Sequence, residues 1–193
     1  MQEQETTWVF QAQQGDPQAF TNLVETYQRP VYNLCYRMLG NAQDAEDAAQ
    51  ETFLRAYRSL RKYDNSRPFP TWLLSIAAHY CIDQIRRNRL PLVSIEALPV
   101  PDLPDGGPDM DIKLSRKEEH SRVRAALEIL EPLDRAAVVM YYWYDFSYEE
   151  IGQALKLTES ALKSRLHRAR RMMAGKLVEG QPASTLAVER ILL

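Results

Sequence analysis

The densest chemistry in this chain lies between Ser147 and Met173. Ser147, with Glu150 three residues later, forms a capping box, in which a hydroxyl and a carboxylate satisfy the orphan amides at a helix start. Ile151, Ala154 and Leu155 make the inner face of a short helix, and Gly152 is small enough to admit a second helix closely. Lys156 and Leu157 make the turn, and Thr158 caps the next helix. In that helix Leu162, Leu166, Ala169 and Met173 fall into one apolar stripe. The opposite face carries Ser160, Lys163, Ser164, His167, Arg168 and Arg171, flanked by Arg165 and Arg170. This is the pattern of a helix-turn-helix. The second helix packs with one face and fills the major groove of duplex DNA with the other. Its first turns meet base edges, and later basic residues meet phosphates. Glu159, Ser160, Lys163 and Ser164 are therefore the candidates for base reading. Arg165, Arg168 and Arg171 are the candidates for phosphate or guanine contact. A solvated cationic helix face would look similar. The coincidence of cap, turn and basic second helix favours DNA.

Charge is placed in blocks. The 193 residues carry a formal net charge of −2, so bulk charge says nothing about nucleic acid. From Met1 to Leu60 acids lead bases 8 to 4, and from Pro91 to Leu155 they lead 13 to 6. Between them, from Arg61 to Leu90, bases lead 6 to 2, and from Lys156 onward they lead 8 to 3. Two basic blocks in an acidic chain are the footprint of nucleic-acid binding.

Other chemistries have less support. His79, His120 and His167 form no HExxH or similar metal spacing, and no phosphate-binding loop or GxSxG elbow is present. An enzyme is thus the weakest reading, and no catalytic residue, metal or other cofactor is expected. Cys35 and Cys81 are too distant for a CxxC pair and read as buried reduced thiols, although a redox pair stays open. No secretory leader pattern or membrane-length apolar run is evident, so a cytoplasmic protein without membrane insertion is expected.

The elements that must position these residues are helical. Gly15, Asp16 and Pro17 end a short first helix and open a second, over 16–39, with Phe20, Leu23, Val24, Tyr27, Val31, Leu34 and Met38 inward and a kink at Pro30. Gly40 and Asn41 stop it. The next helix spans 44–60, with Ala45, Ala48, Ala49, Phe53 and Tyr57 inward. A loop follows over 61–70, then a helix over 72–88. No run alternates as a strand does, so the fold is all-α. Residues 91–111 hold five prolines, Gly106, Gly107 and four aspartates, too little apolar surface to order themselves. The expected organisation is two small helical domains, 1–90 and 114–178, joined by a flexible Pro/Asp-rich linker at 91–113. Such a linker predicts that the domains are not fixed relative to each other. A tail follows at 179–193, where Leu186, Val188, Ile191 and Leu192 are spaced for a short docking helix. Val123, Ala126, Leu127, Leu130, Ala136, Val139 and Met140 supply a core. The aromatic run Tyr141, Tyr142, Trp143, Tyr144 and Phe146 is too rich to be wholly buried, and part of it is available to a protein partner.

At this level the chain resembles the extracytoplasmic-function sigma factors of bacterial RNA polymerase. The fourth conserved region of that family is matched by Leu130 to Arg135, Ser147 to Gly152 and Leu162 to Arg170. The second region is matched by Gly15 to Phe20, Asp44 to Phe53, Thr71 to Leu73, Ile76 to His79 and Asp83 to Arg87. Both regions stand in the family's order, over about 11–178.

The resemblance implies an initiation subunit with no small-molecule substrate. Its second region would dock on the β′ clamp helices of core polymerase, then recognise and melt the promoter −10 element. Its fourth region would bind the β flap and read the −35 element. An anti-sigma partner is also implied, as relatives usually have one. Carried over, clamp binding falls on Asp47, Gln50, Glu51, Leu54 and Arg55, which alone would read as an ordinary solvated helix face. The −10 and melting site falls on Tyr63, Asn65, Ser66, Arg67, His79, Asp83, Arg86 and Arg87. Opening DNA needs polar groups for an unstacked base edge and basic residues for the strand. Alone, His79 would read as a packed or solvated histidine, and Trp72 as core. The −35 set is Glu159, Ser160, Lys163, Ser164, Arg165, His167, Arg168 and Arg171. Two positions depart from the family. Glu159, Ser160 and Ala161 stand where many members carry Gly-Thr-Val, and Ser75 stands where a basic residue is common. Two other readings stay open at this level. One is a sigma-like mimic that binds only an anti-sigma protein. The other is a plain helix-turn-helix regulator with an unrelated N-terminal domain.

Overall fold

The computed structural model describes residues 2–89 and 121–178, and these are helical with no strand among them. The first unit comprises α1 (Gln2–Gln13), α2 (Pro17–Leu39), α3 (Ala42–Ser59) and α4 (Phe69–Arg89). A 3-10 turn, Leu60–Lys62, follows α3. The second unit comprises α5 (121–128), α6 (Pro132–Tyr144), α7 (Tyr148–Leu155) and α8 (Glu159–Val178). The linker at 91–113, the adjoining 114–120 and the tail at 179–193 lie outside the described residues.

Local chemistry sets the helix ends. The Asp16 side chain accepts from the amides of Gln18 and Ala19, with Pro17 in the first turn, where its missing N–H costs nothing. Gly40, at φ 84°, closes α2 in the left-handed region that glycine enters freely. Asn41 then caps α3 by accepting from the Asp44 amide at 2.7 Å, so α3 starts two residues before the expected 44. α4 likewise starts at Phe69 rather than Trp72, with Pro70 accommodated in its first turn. α2 runs on through Pro30 to Leu39.

Val9, Leu23, Val31, Leu34, Met38, Leu60, Leu73 and Leu74 fill the core of the first unit. Cys35 and Cys81 are free and fully buried there. The Cys81 thiol hydrogen-bonds Cys35, and this contact together with burial raises its pKa. Tyr57 corrects the expected inner face of α3. It is 54% exposed, and Thr52 and Ala56 are buried in its place. The Thr52 hydroxyl is spent internally on the Ala48 carbonyl at 2.7 Å.

The two units pack together, which differs from the expectation of independent domains. α6 lies against α2 and α4, and α7 lies against α4. Arg135, 5% exposed, donates from Nη1 to the Met38 carbonyl and from Nη2 to the Glu128 carbonyl. The Tyr144 hydroxyl donates to the Pro30 carbonyl at 2.6 Å. Arg37 sits 5.0 Å over the Trp143 ring. Trp143 and Tyr144 of the aromatic run are therefore half-buried against the chain's own first unit, whereas Tyr141 stacks on Tyr148 within the second. The partners that cross between the units stand about a hundred residues apart, so no local pattern announces them.

Candidate nucleic-acid interface

α7 and α8 are built as the sequence predicts. Both halves of the capping box are formed: the Ser147 hydroxyl accepts from the Glu150 amide, and the Glu150 carboxylate accepts from the Ser147 amide at 2.9 Å. Burial pushes the Glu150 carboxyl up, but hydrogen bonds from Ser147 and Thr71 outweigh it and hold the group below its ordinary value. Lys156 makes the turn at φ 56°. Gly152 approaches this turn and not a second helix: a Cβ there would lie 2.9 Å from the Leu157 carbonyl oxygen. The Thr158 hydroxyl caps α8 by accepting from the Ala161 amide at 3.2 Å. Leu162, Leu166, Ala169 and Met173 are buried, which fixes the rotation of α8 about its axis.

That rotation exposes Glu159, Ser160, Lys163, Ser164, His167, Arg168 and Arg171 together on one face. Lys163 lies 2.6 Å from the Glu159 carboxylate, which raises the ammonium's pKa, and 5.7 Å from the Tyr148 ring centre. Arg165 differs from its neighbours. Its Nη1 donates to Asp134 of α6 at 2.6 Å, and Asp134 is buried. The guanidinium is thus engaged between helices, and Arg168 Nη2 lies 4.0 Å from the other oxygen, Oδ2, of the same carboxylate.

The second surface surrounds the loop 63–68 and α4. Asn65, Ser66 and Arg67 are exposed along it. Tyr63 is not: its ring is buried 4.7 Å from that of Trp72 and 5.7 Å from that of Phe69. Its hydroxyl donates to the Arg67 carbonyl, and burial pushes its pKa up to about 12. Tyr63 therefore shapes the loop from inside. Asp64 accepts from the Ser66 amide at 2.9 Å, a bond that lowers its carboxyl pKa. Asn65 donates to Gln13 of α1 at 3.0 Å. Half-buried His79 donates from Nδ1 to the Ser75 carbonyl at 2.8 Å, since a carbonyl only accepts, and Nε2 is the remaining ring nitrogen. Asp83, Arg86 and Arg87 are exposed one to two turns further along α4.

A third surface is the outer face of α3. Asp47, Gln50, Leu54 and Arg55 are exposed, Leu54 by 51%. Half-buried Glu51 pairs with Arg55 at 2.7 Å, and Arg55 lies 4.8 Å from the Tyr80 ring centre. Sequence reasoning did not single out Gln13, Thr71 or Asp134. Thr71 donates to Glu150 at 3.2 Å and so ties the loop's helix to α7. Each acts through a partner far along the chain, so spacing carries no trace of it.

Comparison with known proteins covers both units. The Sigma-70 region 2 family matches residues 23–90, and the Sigma-70 region 4 family matches residues 120–173. The chain is 34% identical over 175 residues to the ECF RNA polymerase sigma factor SigW of Bacillus subtilis, covering 86% of this chain and 93% of that protein. It is 36% identical over 178 residues to the ECF sigma factor SigE of Mycolicibacterium smegmatis, covering 90% and 68%. Its fold is similar to that of CnrH, solved with the cytosolic domain of CnrY, at a TM-score of 0.70 and 23% identity over 92% of this chain and 99% of that one. It is also similar to the sigma factor RpoE of Bartonella quintana, solved with the anti-sigma factor NepR, at a TM-score of 0.63 and 20% identity over 84% and 98%. Two sigma regions in order, with a full-length relative at this identity, place the chain among the ECF sigma factors of RNA polymerase, which direct promoter-specific initiation of transcription.

Proposed function

We propose that this protein divides promoter recognition between its two exposed surfaces. α8 enters the major groove at the −35 element, with Glu159, Ser160, Lys163 and Ser164 toward the bases and His167, Arg168 and Arg171 toward phosphates. Arg165 sets the seat of α8 through Asp134 and lies at the margin of this contact. The loop carrying Asn65, Ser66 and Arg67 receives an unstacked base of the −10 element, with His79 on the adjoining helix. Asp83, Arg86 and Arg87 follow the separated strand, where charge and not base identity governs affinity. Tyr63 takes part only by holding the loop. Asp47, Gln50, Glu51, Leu54 and Arg55 form the docking face for the β′ clamp helices of core polymerase, and the second unit docks on the β flap. The domains follow 1–90 and 114–178, with 91–113 as the tether. The protein acts by binding alone, with no catalysis of its own, in the cytoplasm where polymerase and DNA meet. No helix among the described residues is long and apolar enough to cross a membrane. An anti-sigma protein is its regulatory partner; the RpoE relative was solved in complex with the anti-sigma factor NepR.

The observation that carries this reading is the pair of exposed polar and basic surfaces, one on each unit, each fixed by buried residues behind it. The test uses holoenzyme assembled from core polymerase and the full chain. Arg67→Ala should leave duplex binding intact and reduce permanganate reactivity of promoter thymines near the start site. Arg168→Ala with Arg171→Ala should weaken binding to the duplex upstream element. Unchanged thymine reactivity in the first variant would remove the loop from melting.

A further inference from the structure

Gln13, the last residue of α1, reaches across the first unit to the loop before α4. Its Nε2 donates to the Leu60 carbonyl at 3.1 Å and to the Tyr63 carbonyl at 3.0 Å. Its Oε1 accepts from Asn65 Nδ2 at 3.0 Å. Both acceptors are carbonyls and can only accept, so the orientation of the Gln13 amide is dictated by chemistry. Its oxygen must face a donor, and Asn65 must therefore turn its amino group toward Gln13. The Asn65 carbonyl oxygen is left pointing away from α1, on a side chain that is otherwise exposed.

The rest of the loop is held in the same spirit. Tyr63 grips the Arg67 carbonyl from inside, and Asp64 fixes the Ser66 amide. α1 is itself anchored, with Val9 and Ala12 buried and Glu5 accepting from the Tyr27 hydroxyl. The half-buried Gln13 thus ties a fixed helix to three points of the segment 60–65. α1 also lies ahead of the segment 23–90 matched by the region 2 family, so that match gives it no part in recognition.

We propose that Gln13 is a positioning residue for promoter opening, and that α1 presets Asn65, and through it Ser66 and Arg67, to receive the unstacked base. This rests on the reading of that loop as the melting site. Pre-setting matters because a loop ordered only on binding would subtract its ordering entropy from base capture. Duplex opening, which must offset unstacking, is then more sensitive to Gln13 than binding to DNA already open.

The experiment uses full-length chain with core polymerase. Gln13→Met keeps the length and packing of the side chain and removes all three hydrogen bonds. Gln13→Glu keeps an acceptor for Asn65 but sets a carboxylate against the Leu60 and Tyr63 carbonyls. Gln13→Met should reduce opening of a duplex promoter roughly thirty- to hundredfold, the scale of two or three net hydrogen bonds. Gln13→Glu should reduce it further. Core affinity should be unchanged in both, and Gln13→Met should recover most of its activity on a template pre-opened across the −10 element. Wild-type opening by Gln13→Met overturns the proposal. So does a loss equal on duplex and pre-opened templates with a lowered melting temperature, because the residue then only stabilises the fold. Arg67→Ala, measured alongside, separates the two failures. A defect there with a normal Gln13→Met refutes the part given to Gln13 alone. Normal opening in both refutes the reading of the loop.

Discussion

Two arginines one turn apart on α8 do different work. Arg165 is bonded to buried Asp134, whereas Arg168 is largely exposed and only 4.0 Å from the same group. Arg165→Ala leaves Asp134 without its close partner and should destabilise the protein by about 1–2 kcal/mol, reduced from the fully buried case because the Arg165 side chain is 30% exposed. Thermal unfolding checks this. Arg168→Ala should leave the melting temperature unchanged and reduce the salt dependence of duplex binding by about one counterion. A binding curve with an unaltered salt slope would take Arg168 off the phosphates. Tyr63 makes the same point from the other direction. The family resemblance assigns it to the melting site, but its ring packs against Phe69 and Trp72. Tyr63→Phe should cost about 1 kcal/mol through the lost hydrogen bond to Arg67, with ring packing retained.

At the scale of elements, α7 depends on its first turn and on Gly152. Gly152→Ala drives a Cβ into the Leu157 carbonyl, a backbone atom that cannot swing aside, and should cost about 1–3 kcal/mol in thermal or denaturant unfolding. The capping box adds a pH dependence. The Glu150 carboxyl is held below its ordinary 4.5 in the folded protein. A depressed carboxyl contributes stability above its unfolded value and loses it as pH falls from there through the folded one. Wild type should therefore lose more stability than Glu150→Gln on acidification from pH 7 to below 4.5. Parallel unfolding curves for the two would show that the carboxylate contributes nothing. These elements were legible in advance because their causes are local: Ser147 and Glu150 are three residues apart, and Leu162, Leu166, Ala169 and Met173 repeat with the helix. Tyr57 was misread because a helical period marks a stripe without saying where its edge meets solvent. The contacts of Gln13, Thr71 and Arg135 left no signal, since their partners lie 47 to 97 residues away.

At the scale of the molecule, the two units form one packed body in which α6 and α7 cover part of α2 and α4. A Pro-rich linker explains why such packing was not expected: composition reports on the tether and not on the faces it brings together. The contact is specific, built from Arg135 on the Met38 carbonyl, Tyr144 on the Pro30 carbonyl and Trp143 under Arg37. Trp143→Ala combined with Tyr144→Phe should lengthen and broaden the distance between spin labels at Gln50 of α3 and Lys176 of α8. An unchanged distribution would mean that other contacts hold the units together. The central claim is that one chain reads two promoter elements with two separate surfaces. Its most direct test is run-off transcription by core polymerase from a randomised promoter library, comparing wild type with a Ser160→Ala, Lys163→Ala, Ser164→Ala variant. Wild type should select transcripts sharing two upstream elements, and the variant should lose or change the distal one while retaining the proximal. Loss of both elements together, or of neither, would contradict the division of labour between α8 and the loop before α4.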